Sequence, residues 1–259
     1  MRVNTLKRAA VAFALALPGA AIASVVAAPA AHADGCYTWT RNLYQGSSGA
    51  DVRQLQIRVA GWAGYRDIVE NDGRYGPKTA AAVKRFQQAY GLRADGIAGP
   101  QTYGKLYQLQ DNDCTPAHFS HGELDDGCGG SGYDGGPLSE AQTRQNALRT
   151  MWKLEALRKS LGDKPLDVSG GFRSRACNNR VGGAADSQHL YGNAADVTSR
   201  TKSLCQVARD ARDNGFSGIY GPGYPDHDDH VHVDSRRENN ADRSSNTTSW
   251  SAPDCGVGN

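Results

Sequence analysis

Clustered charge and closely paired cysteines are both missing from this sequence. Its 259 residues include 29 Lys and Arg against 27 Asp and Glu, a formal net charge of +2, and neither sign is gathered into a block or a stripe. Nucleic-acid binding depends on clustered basic side chains, so nucleic acid is excluded as an expected partner. The six cysteines contain no Cys-x-x-Cys pair, and their wide spacing disfavours a metal site made of cysteines.

The amino terminus has the pattern of a secretory signal. Basic residues at the start precede an Ala-rich apolar stretch at 9–28, and the small-residue run Ala30-Ala31-His32-Ala33 follows. This order predicts a signal peptide over residues 1–33 with cleavage near Ala33. A proline and a glycine interrupt the stretch and no basic stop-transfer cluster follows it, so we expect no membrane anchor. We therefore expect a secreted chain, in which disulfides are permitted.

Residues 43–109 contain an internal repeat. The segment Asp72-Gly-Arg-Tyr-Gly-Pro-Lys-Thr79 is echoed by Asp95-Gly-Ile-Ala-Gly-Pro-Gln-Thr102. In each copy Asp-Gly supplies a tight turn, and the proline suits the first position of a helix because its fixed φ is already helical. A third helix is expected from Pro100 to Leu109, so the region is predicted to be a bundle of three helices. The first two helices carry apolar stripes, Val52, Leu55 and Val59 in one and Val83, Phe86 and Tyr90 in the other.

This region resembles the peptidoglycan-binding type 1 domain. The likeness rests on Asp51-Val-Arg-Gln-Leu-Gln56, the Asp-Gly-x-Tyr-Gly-Pro-x-Thr loop, Ala82-Val-Lys-Arg-Phe-Gln87 and Gly91-Leu-x-x-Asp-Gly-Ile-x-Gly-Pro100. The resemblance implies a helical module that binds peptidoglycan of the bacterial cell wall. A helical spacer without a ligand is the alternative, because a fold does not fix a function.

The positions of the six cysteines agree with this division of the chain. Cys36 and Cys114 bracket the helical bundle, and the other four cysteines lie in the remaining part. Six cysteines allow about fifteen pairings. We predict the disulfides Cys36–Cys114, Cys128–Cys177 and Cys205–Cys255. The first of them would join the two ends of a peptidoglycan-binding domain over residues 34–114.

The rest of the chain is predicted to be a linker followed by an α+β domain. Residues 115–137 are rich in Asp, Gly, Ser and Pro, which predicts a linker, and His118 and His121 within it are expected at the surface. The second domain covers 138–259, and mixed helices and strands favour the α+β class. Its predicted elements are a helix from the N-cap Ser139 to about Ser160, strands at 167–171, 194–198 and 230–234, and a helix at 201–214.

Histidines and carboxylates gather near two of the predicted strands. In His230-Val-His232-Val-Asp234 polar and apolar residues alternate, so both histidines project from one face of a strand. His189 precedes a turn at Gly192-Asn193, after which the chain can return with Asp196 beside it. A catalytic zinc site needs three nitrogen or oxygen ligands and a fourth position open to water. His189, Asp196 and one of the paired histidines supply such a set.

The pattern Ser-x-His-x-x-Gly-x-Ala-x-Asp at 187–196, with the distant His-x-His, resembles the zinc D-alanyl-D-alanine carboxypeptidases of peptidase family M15. These are relatives of the vancomycin-resistance dipeptidases and of the hedgehog signalling domain. The resemblance spans residues 140–234 and implies a hedgehog/DD-peptidase-like domain with an antiparallel sheet. It implies one Zn2+ per chain, held by His189, Asp196 and His232, and hydrolysis of the terminal D-Ala-D-Ala bond of peptidoglycan peptides. We expect a monomer that is extracellular or associated with the cell wall.

The resemblance also implies roles for residues beside the metal. In the family, the acidic residue three positions before the last ligand is the general base, and that position is Asp229. Many relatives have Glu there, and Asp228 is the neighbouring alternative. His230 lies beside the zinc in the family pattern and stabilises the transition state. His227 is a candidate for binding substrate or stabilising the oxyanion, with a place on the rim as the alternative.

Another group of residues is expected to bind the substrate. Gly170-Gly-Phe-Arg-Ser-Arg175 is similar to the family's Gly-Tyr-Arg-Ser segment. Arg173 is the candidate for binding both oxygens of a terminal carboxylate, with Arg175 as the surface alternative. Ser187 is expected to orient the substrate or a ligand, and Tyr191 to flank the cleft.

Two other functions stay open at this point. An endopeptidase of the same zinc fold would cut cross-links or the L-Ala-D-Glu bond of the stem, and would gain nothing from a carboxylate clamp at Arg173. A non-catalytic wall-binding protein would hold a structural zinc in a closed tetrahedral site that uses both His230 and His232. Cobalt or nickel would suit the same ligands. The absence of His-Glu-x-x-His excludes the thermolysin-like zinc peptidases.

Overall fold

The computed structural model describes residues 36–125, 128, 132–238 and 247–259, and the predicted signal peptide at 1–33 lies outside them. Within the described part of the chain, no helix is long and apolar enough to cross a membrane. The helices are α1 (Ala50–Val59), α2 (Pro77–Ala89), α3 (Pro100–Gln108), α4 (His121–Leu124), α5 (Glu140–Ser160), α6 (Arg175–Arg180) and α7 (Leu204–Ala211). The strands are β1 (Asp167–Gly170), β2 (Ala194–Thr198), β3 (Gly218–Tyr220), β4 (Val231–Asp234), β5 (Ser249–Ala252) and β6 (Val257–Gly258).

Helices α1 to α3 enclose the smaller of two apolar cores, which confirms the predicted helical amino-terminal unit. Pro77 and Pro100 lie in the first turns of α2 and α3, as the repeat predicts. The two copies of the repeat make matching hydrogen bonds. The Gln56 side chain donates to Asp72 and Thr79 and accepts from the Gly73 backbone, and the Gln87 side chain donates to Asp95 and Thr102 and accepts from the Gly96 backbone. The repeat therefore has a structural cause, since each glutamine ties a turn to the helix that follows it.

The larger core is built on a six-stranded sheet with the order β1-β2-β4-β3-β5-β6. Neighbouring strands are antiparallel except β3 and β5, which are parallel, so the predicted antiparallel sheet is corrected to a mixed one. The difference comes from β5, which runs beside β3 in the same direction. Strands β3 and β6 have only three and two residues, too few for an alternating pattern to predict them.

Helix α5 contributes to both cores. Its Ser139 cap and its last residue, Ser160, agree with the prediction. Met151, Leu154 and Leu157 are buried in the larger core, whereas Trp152 and Ala156 are buried in the smaller one. The indole N–H of Trp152 also donates to the carbonyl of Cys114, over 3.2 Å. The helical unit and the sheet unit are therefore packed against each other through one shared helix.

The segment 115–137, predicted to be a linker, is packed against the larger core in its described part. Phe119, Leu124 and Tyr133 are buried there. His118, expected at the surface, is about half exposed but bonds the fully buried Glu155 over 3.0 Å. His121, also expected at the surface, is paired with the Tyr133 hydroxyl over 2.8 Å. The polar composition hides these anchoring residues, because a few buried side chains are enough to fix a short segment.

Three disulfides cross-link the chain, each of them within one unit. They join the predicted pairs, Cys36 with Cys114, Cys128 with Cys177 and Cys205 with Cys255. The first closes the helical unit, and the second ties the start of α6 to the segment before α5. The prediction of the pairing is confirmed.

Candidate metal centre and active site

The register of β2 and β4 brings the first two polar residues of the site together. Asp196 lies directly opposite His232 in this antiparallel pair. Residues that face each other across an antiparallel pair project from the same side of the sheet. Their chain neighbours Ala195, Val197 and Val233 point the other way and are buried in the larger core. The alternation of β2 and β4 thus holds one face in the core and presents the other to a site.

A short 3₁₀ turn, Gln188–Tyr191, supplies the third residue, His189. The turn ends at Gly192, whose φ of 71° is left-handed, and a Cβ added there would lie 2.6 Å from the carbonyl oxygen of Thr143. A side chain at this position would therefore clash with α5. Gly170 of β1 is a second glycine that the site requires, because its added Cβ would lie 2.5 Å from Oδ2 of Asp196.

The three side chains converge on one point. The distance from His189 Nε2 to Asp196 Oδ1 is 3.2 Å, that from His189 Nε2 to His232 Nδ1 is 3.1 Å, and that from His232 Nδ1 to Asp196 Oδ1 is 3.0 Å. All three residues are buried. Two ligands of a tetrahedral ion at ordinary bond lengths stand about 3.3 Å apart. The cluster can therefore hold one metal ion of the size of zinc by two nitrogens and one oxygen.

Outer hydrogen bonds fix which nitrogen of each histidine faces that point. Nδ1 of His189 lies 2.6 Å from the carbonyl oxygen of Gly171, which can only accept, so this nitrogen carries the hydrogen. Nε2 of His232 lies 3.0 Å from the carboxylate of Asp234, which is fully buried and in turn paired with Arg236. In the neutral rings the inward nitrogens, Nε2 of His189 and Nδ1 of His232, would therefore offer lone pairs to a metal ion. Such partners orient metal ligands in many proteins.

The charges of the cluster suit a cation. Burial opposes ionisation of Asp196, but attraction to His189 and hydrogen bonds with His189 and His232 outweigh it and hold the pKa of Asp196 far below its usual range. Burial would lower the pKa of His232, yet hydrogen bonds with Asp196 and Asp234 raise it to about 9. Burial lowers the pKa of His189. Both histidines face one ionised carboxylate, and a metal ion bound there would replace the proton that this carboxylate stabilises on His232.

A cleft of about 730 Å³ opens over the cluster. Arg173, Ser187, His227 and His230 of the sequence-predicted set line it together with the three clustered residues. Its lining also includes Tyr220, Tyr224, Asp226 and Arg236, which sequence analysis did not single out. Tyr220 belongs to the unpredicted strand β3, so no pattern marks it. Asp234, the partner of His232, could have been found, because it continues the alternation of the histidine pair on the same face.

The predicted general base lies outside this lining. The side chain of Asp229 is 91% exposed, and its Oδ1 lies 2.7 Å from Nδ1 of His230. Nε2 of the same ring lies 3.7 Å from Oδ1 of Asp196, so His230 stands between Asp229 and the cluster. Asp228 accepts from the backbone N–H of Gly223 over 2.8 Å, which uses its carboxylate within the loop.

Not all of the residues predicted to bind the substrate line the cleft. Nη2 of Arg173 donates to Oδ2 of Asp196 over 2.8 Å, and a quarter of this arginine side chain is exposed in the cleft. Ser187 lies at the start of the 3₁₀ turn and lines the cleft. Tyr191 ends that turn but is not among the described lining residues, and its carbonyl accepts from Asn146 of α5. His227 is half-buried at the rim of the cleft, where its Nδ1 donates to the carbonyl of Pro225.

Replacing His189 by alanine is expected to abolish metal binding, because it removes one of three converging ligand atoms. Zinc-loaded wild-type protein should keep about one zinc ion per chain after desalting, measured by atomic absorption. The His189→Ala variant should keep less than about a tenth of that, since even outer-sphere changes cost ten- to a hundredfold in affinity. His118→Ala is the matched control, because its ring bonds Glu155 outside the cluster. Full zinc occupancy in His189→Ala would contradict the site.

Comparison with known proteins agrees with this geometry. The family model "Peptidase M15" matches residues 118–234, and the model "Putative peptidoglycan binding domain" matches residues 48–106. The "Zinc D-Ala-D-Ala carboxypeptidase" of Streptomyces albus G is 52% identical over 93% of this chain and 96% of that protein. The "N-acetylmuramoyl-L-alanine amidase CwlL" of Bacillus licheniformis is 52% identical over 24% of this chain and 18% of that protein.

A solved structure from Clostridium acetobutylicum, a fused zinc-dependent amidase/peptidase with a peptidoglycan-binding domain, is 29% identical over 34% of this chain and 38% of that chain, with a TM-score of 0.24. The assignment of the fold and family depends instead on the two family models and on the full-length Streptomyces relative. The resemblances inferred from the sequence motifs are confirmed. The chain belongs to the Peptidase M15 family, in the group of the zinc D-Ala-D-Ala carboxypeptidases, and carries a peptidoglycan-binding domain.

Proposed function

We propose that this chain is a secreted zinc carboxypeptidase that removes the terminal D-alanine from D-Ala-D-Ala peptides of peptidoglycan. The observation that carries the proposal is the buried His189, Asp196 and His232 cluster at the floor of an open cleft that also holds an arginine. The likeness to the Streptomyces albus G enzyme along nearly the whole chain supports the same substrate. We infer a monomer with a wall-binding unit at 34–114, a connector at 115–137 and a catalytic unit at 138–259.

The metal would be held by His189 Nε2, Asp196 Oδ1 and His232 Nδ1, whose lone pairs face one point. Zinc bound there supplies Lewis-acid polarisation and makes a water nucleophilic near neutral pH. A set of two nitrogens and one oxygen is typical of catalytic zinc sites, which keep a fourth position open. The cleft above the cluster gives a water and a peptide carbonyl access to that position.

His230 is placed to accept the proton of the attacking water, with Asp229 behind it. Because Nδ1 of His230 donates to Asp229, its Nε2 carries the lone pair on the side of the cluster. The exposed carboxylate of Asp229 reaches the cluster only through this ring. We therefore assign the general base to the Asp229 and His230 pair instead of Asp229 alone. Asp229 fixes the tautomer and stabilises the imidazolium, which then stabilises the oxyanion and protonates the leaving amine.

Arg173 is placed to bind the terminal carboxylate of the substrate. Its guanidinium lies at the edge of the cluster, where the bond to Asp196 fixes its orientation, and its exposed part faces the cleft. A planar guanidinium can donate to both oxygens of a carboxylate. A site with this arginine favours a peptide with a free carboxyl end over the interior of a peptide. Carboxypeptidase activity is therefore preferred to endopeptidase activity. Ser187 and His227 line the same cleft and complete the proposed contacts with the peptide.

Release of D-alanine from diacetyl-Lys-D-Ala-D-Ala is expected from zinc-loaded protein and should be lost on adding a chelator. His230→Ala and Asp229→Asn should each lower kcat by about 10²- to 10⁴-fold. The double variant should lose little more than either single one, because the two residues act as a unit. Both single variants should keep their zinc, because neither supplies a ligand atom.

The outcomes of this experiment separate the remaining functions. No release from zinc-loaded wild type would overturn the carboxypeptidase. Loss of zinc from His230→Ala would make His230 a ligand and favour a closed structural site. Full activity in His230→Ala, with a large loss in Asp229→Asn, would return the role of base to Asp229 alone. His118→Ala is again the control, because it alters a histidine outside the cleft.

Replacing Arg173 by glutamine is expected to weaken recognition of the chain end. Hydrogen bonds to charged groups contribute about 1.5 to 3 kcal/mol, so kcat/KM on the free-acid peptide should fall by at least about tenfold, chiefly through KM. The peptide with an amidated carboxyl end should be a poor substrate of wild type and should be affected little by the change. Arg175→Gln is the matched control, because Arg175 is exposed and does not line the cleft in the described structure. Equal cleavage of both peptides by wild type would favour an endopeptidase.

A further inference from the structure

A second cleft, of about 370 Å³, lies where the helical unit meets the sheet unit. No described residue lines both this junction cleft and the catalytic cleft. The helical unit contributes four side chains, and α5 with the segments before β2 and after β4 contributes most of the others. The lining consists of Arg53, Glu70, Asn71, Asp72, Leu138, Gln142, Gln145, Asn146, Arg149, Asn193 and Glu238. The catalytic chemistry described above uses none of them.

Buried polar atoms without partners are concentrated in the junction cleft. Oδ1 of Asn71, Nε of Arg149 and Nδ2 of Asn193 are buried and have no hydrogen-bond partner within the described structure. Arg149 is 8% exposed and Asn193 is 5% exposed. A buried polar atom left unpaired costs free energy, and each such atom in a folded protein requires an explanation. Two unpaired donors and one unpaired acceptor that line one cavity indicate a ligand with both kinds of group.

The rest of the lining defines the class of that ligand. Leu138 is its one apolar side chain among the described lining residues, which argues against a lipid or an aromatic molecule. Two arginines face three carboxylates, so the cleft does not favour an anion. Arg149 is moreover already paired with Glu238 and with the carbonyl of Val69. The remaining lining side chains are amides, three of them on α5 and the other two being Asn71 and Asn193. Because an amide side chain both donates and accepts, this set suits a neutral ligand rich in hydroxyl and amide groups.

We propose that the junction cleft binds a segment of the N-acetylated glycan strand of peptidoglycan. Acetamido groups offer one N–H and one carbonyl, and hydroxyls both donate and accept, so such a strand can pair the free donors and the free acceptor at once. The cavity volume lies in the range of sites for small ligands. The proposal deepens the proposed function, on which it rests, because it names a second contact with the same polymer.

The junction cleft is connected to the metal cluster by a short stretch of the chain. Asn193 lies between His189 and Asp196 in the chain, and its backbone bonds Gln188 on one side and Ser235 on the other. Asp72, on the other wall, belongs to the first turn of the amino-terminal repeat. A glycan chain held between these walls would lie at a fixed distance from the catalytic cleft. The peptides that are cleaved in the catalytic cleft are attached to that glycan chain. A second attachment to one polymer raises the effective concentration of the peptide at the cluster.

The test is calorimetric titration of zinc-loaded full-length protein with tetra-N-acetylchitotetraose, a soluble N-acetylated glycan without peptide. Asn71→Ala removes the unpaired acceptor, and Gln145→Trp fills the cleft from an exposed position on α5. Each should weaken binding by at least about tenfold, which corresponds to the loss of one good hydrogen bond or more. Asn112→Ala and Gln101→Trp are matched controls at exposed positions outside the lining, and both should bind as wild type does.

Each outcome bears on one claim. Equal binding by wild type and all four variants would place the glycan elsewhere and overturn the junction site. Absence of saturable binding in wild type would also overturn it and leave a cleft filled only by water. Thermal unfolding midpoints of Asn71→Ala and Gln145→Trp within a few degrees of wild type would show that reduced binding is not misfolding. Release of D-alanine by wild type, measured on the same preparation, tests the carboxypeptidase separately, because that substrate carries no glycan.

Discussion

The pairing of Asp196 with His232 across β2 and β4 is the constraint on which the site depends. A one-residue slip of β4 along β2 would turn His232 to the core face and bring a valine of β4 to the cleft face. The buried apolar residues on the opposite face fix the register, because they belong to the larger core. Burial of these apolar residues thereby determines that Asp196 and His232 face each other in the site. His189 is added from a turn that glycine at 192 allows, and Asp234 and Gly171 then set the tautomers of the two histidines.

The shared helix α5 gives the two units a fixed relation. Trp152 is buried in the helical unit's core while its neighbours Met151 and Leu154 are buried in the core of the sheet unit. The helical unit therefore has a fixed position relative to the catalytic cleft, unlike a unit on a free tether. The Lys153 side chain, fully buried next to Trp152, bonds Glu238 and Ser235 beyond β4 and ties the same helix to the end of that strand.

Much of this arrangement could be predicted from the sequence. Glycine and proline in the repeat marked the helix starts, and alternation in 230–234 placed His230 and His232 on one side. The position of Asp229 could not be predicted, because a loop conformation decides whether its carboxylate faces the cluster or the far side of His230. The packing of the described part of 115–137 against the larger core could not be predicted either, because three buried apolar side chains are enough to anchor a segment of otherwise polar composition. Strand β3, with Tyr220 in the cleft, is too short to leave a periodic signal.

Crystallography of zinc-loaded protein at the zinc absorption edge would locate the metal ion and identify its ligands. We expect one anomalous peak within about 2.0 to 2.2 Å of His189 Nε2, Asp196 Oδ1 and His232 Nδ1, with the fourth position facing the cleft and free of protein atoms. A peak with Nε2 of His230 as a fourth protein ligand would close the site and contradict the catalytic role. A peak bound by other residues would contradict the claim that the β2 and β4 register builds the metal centre.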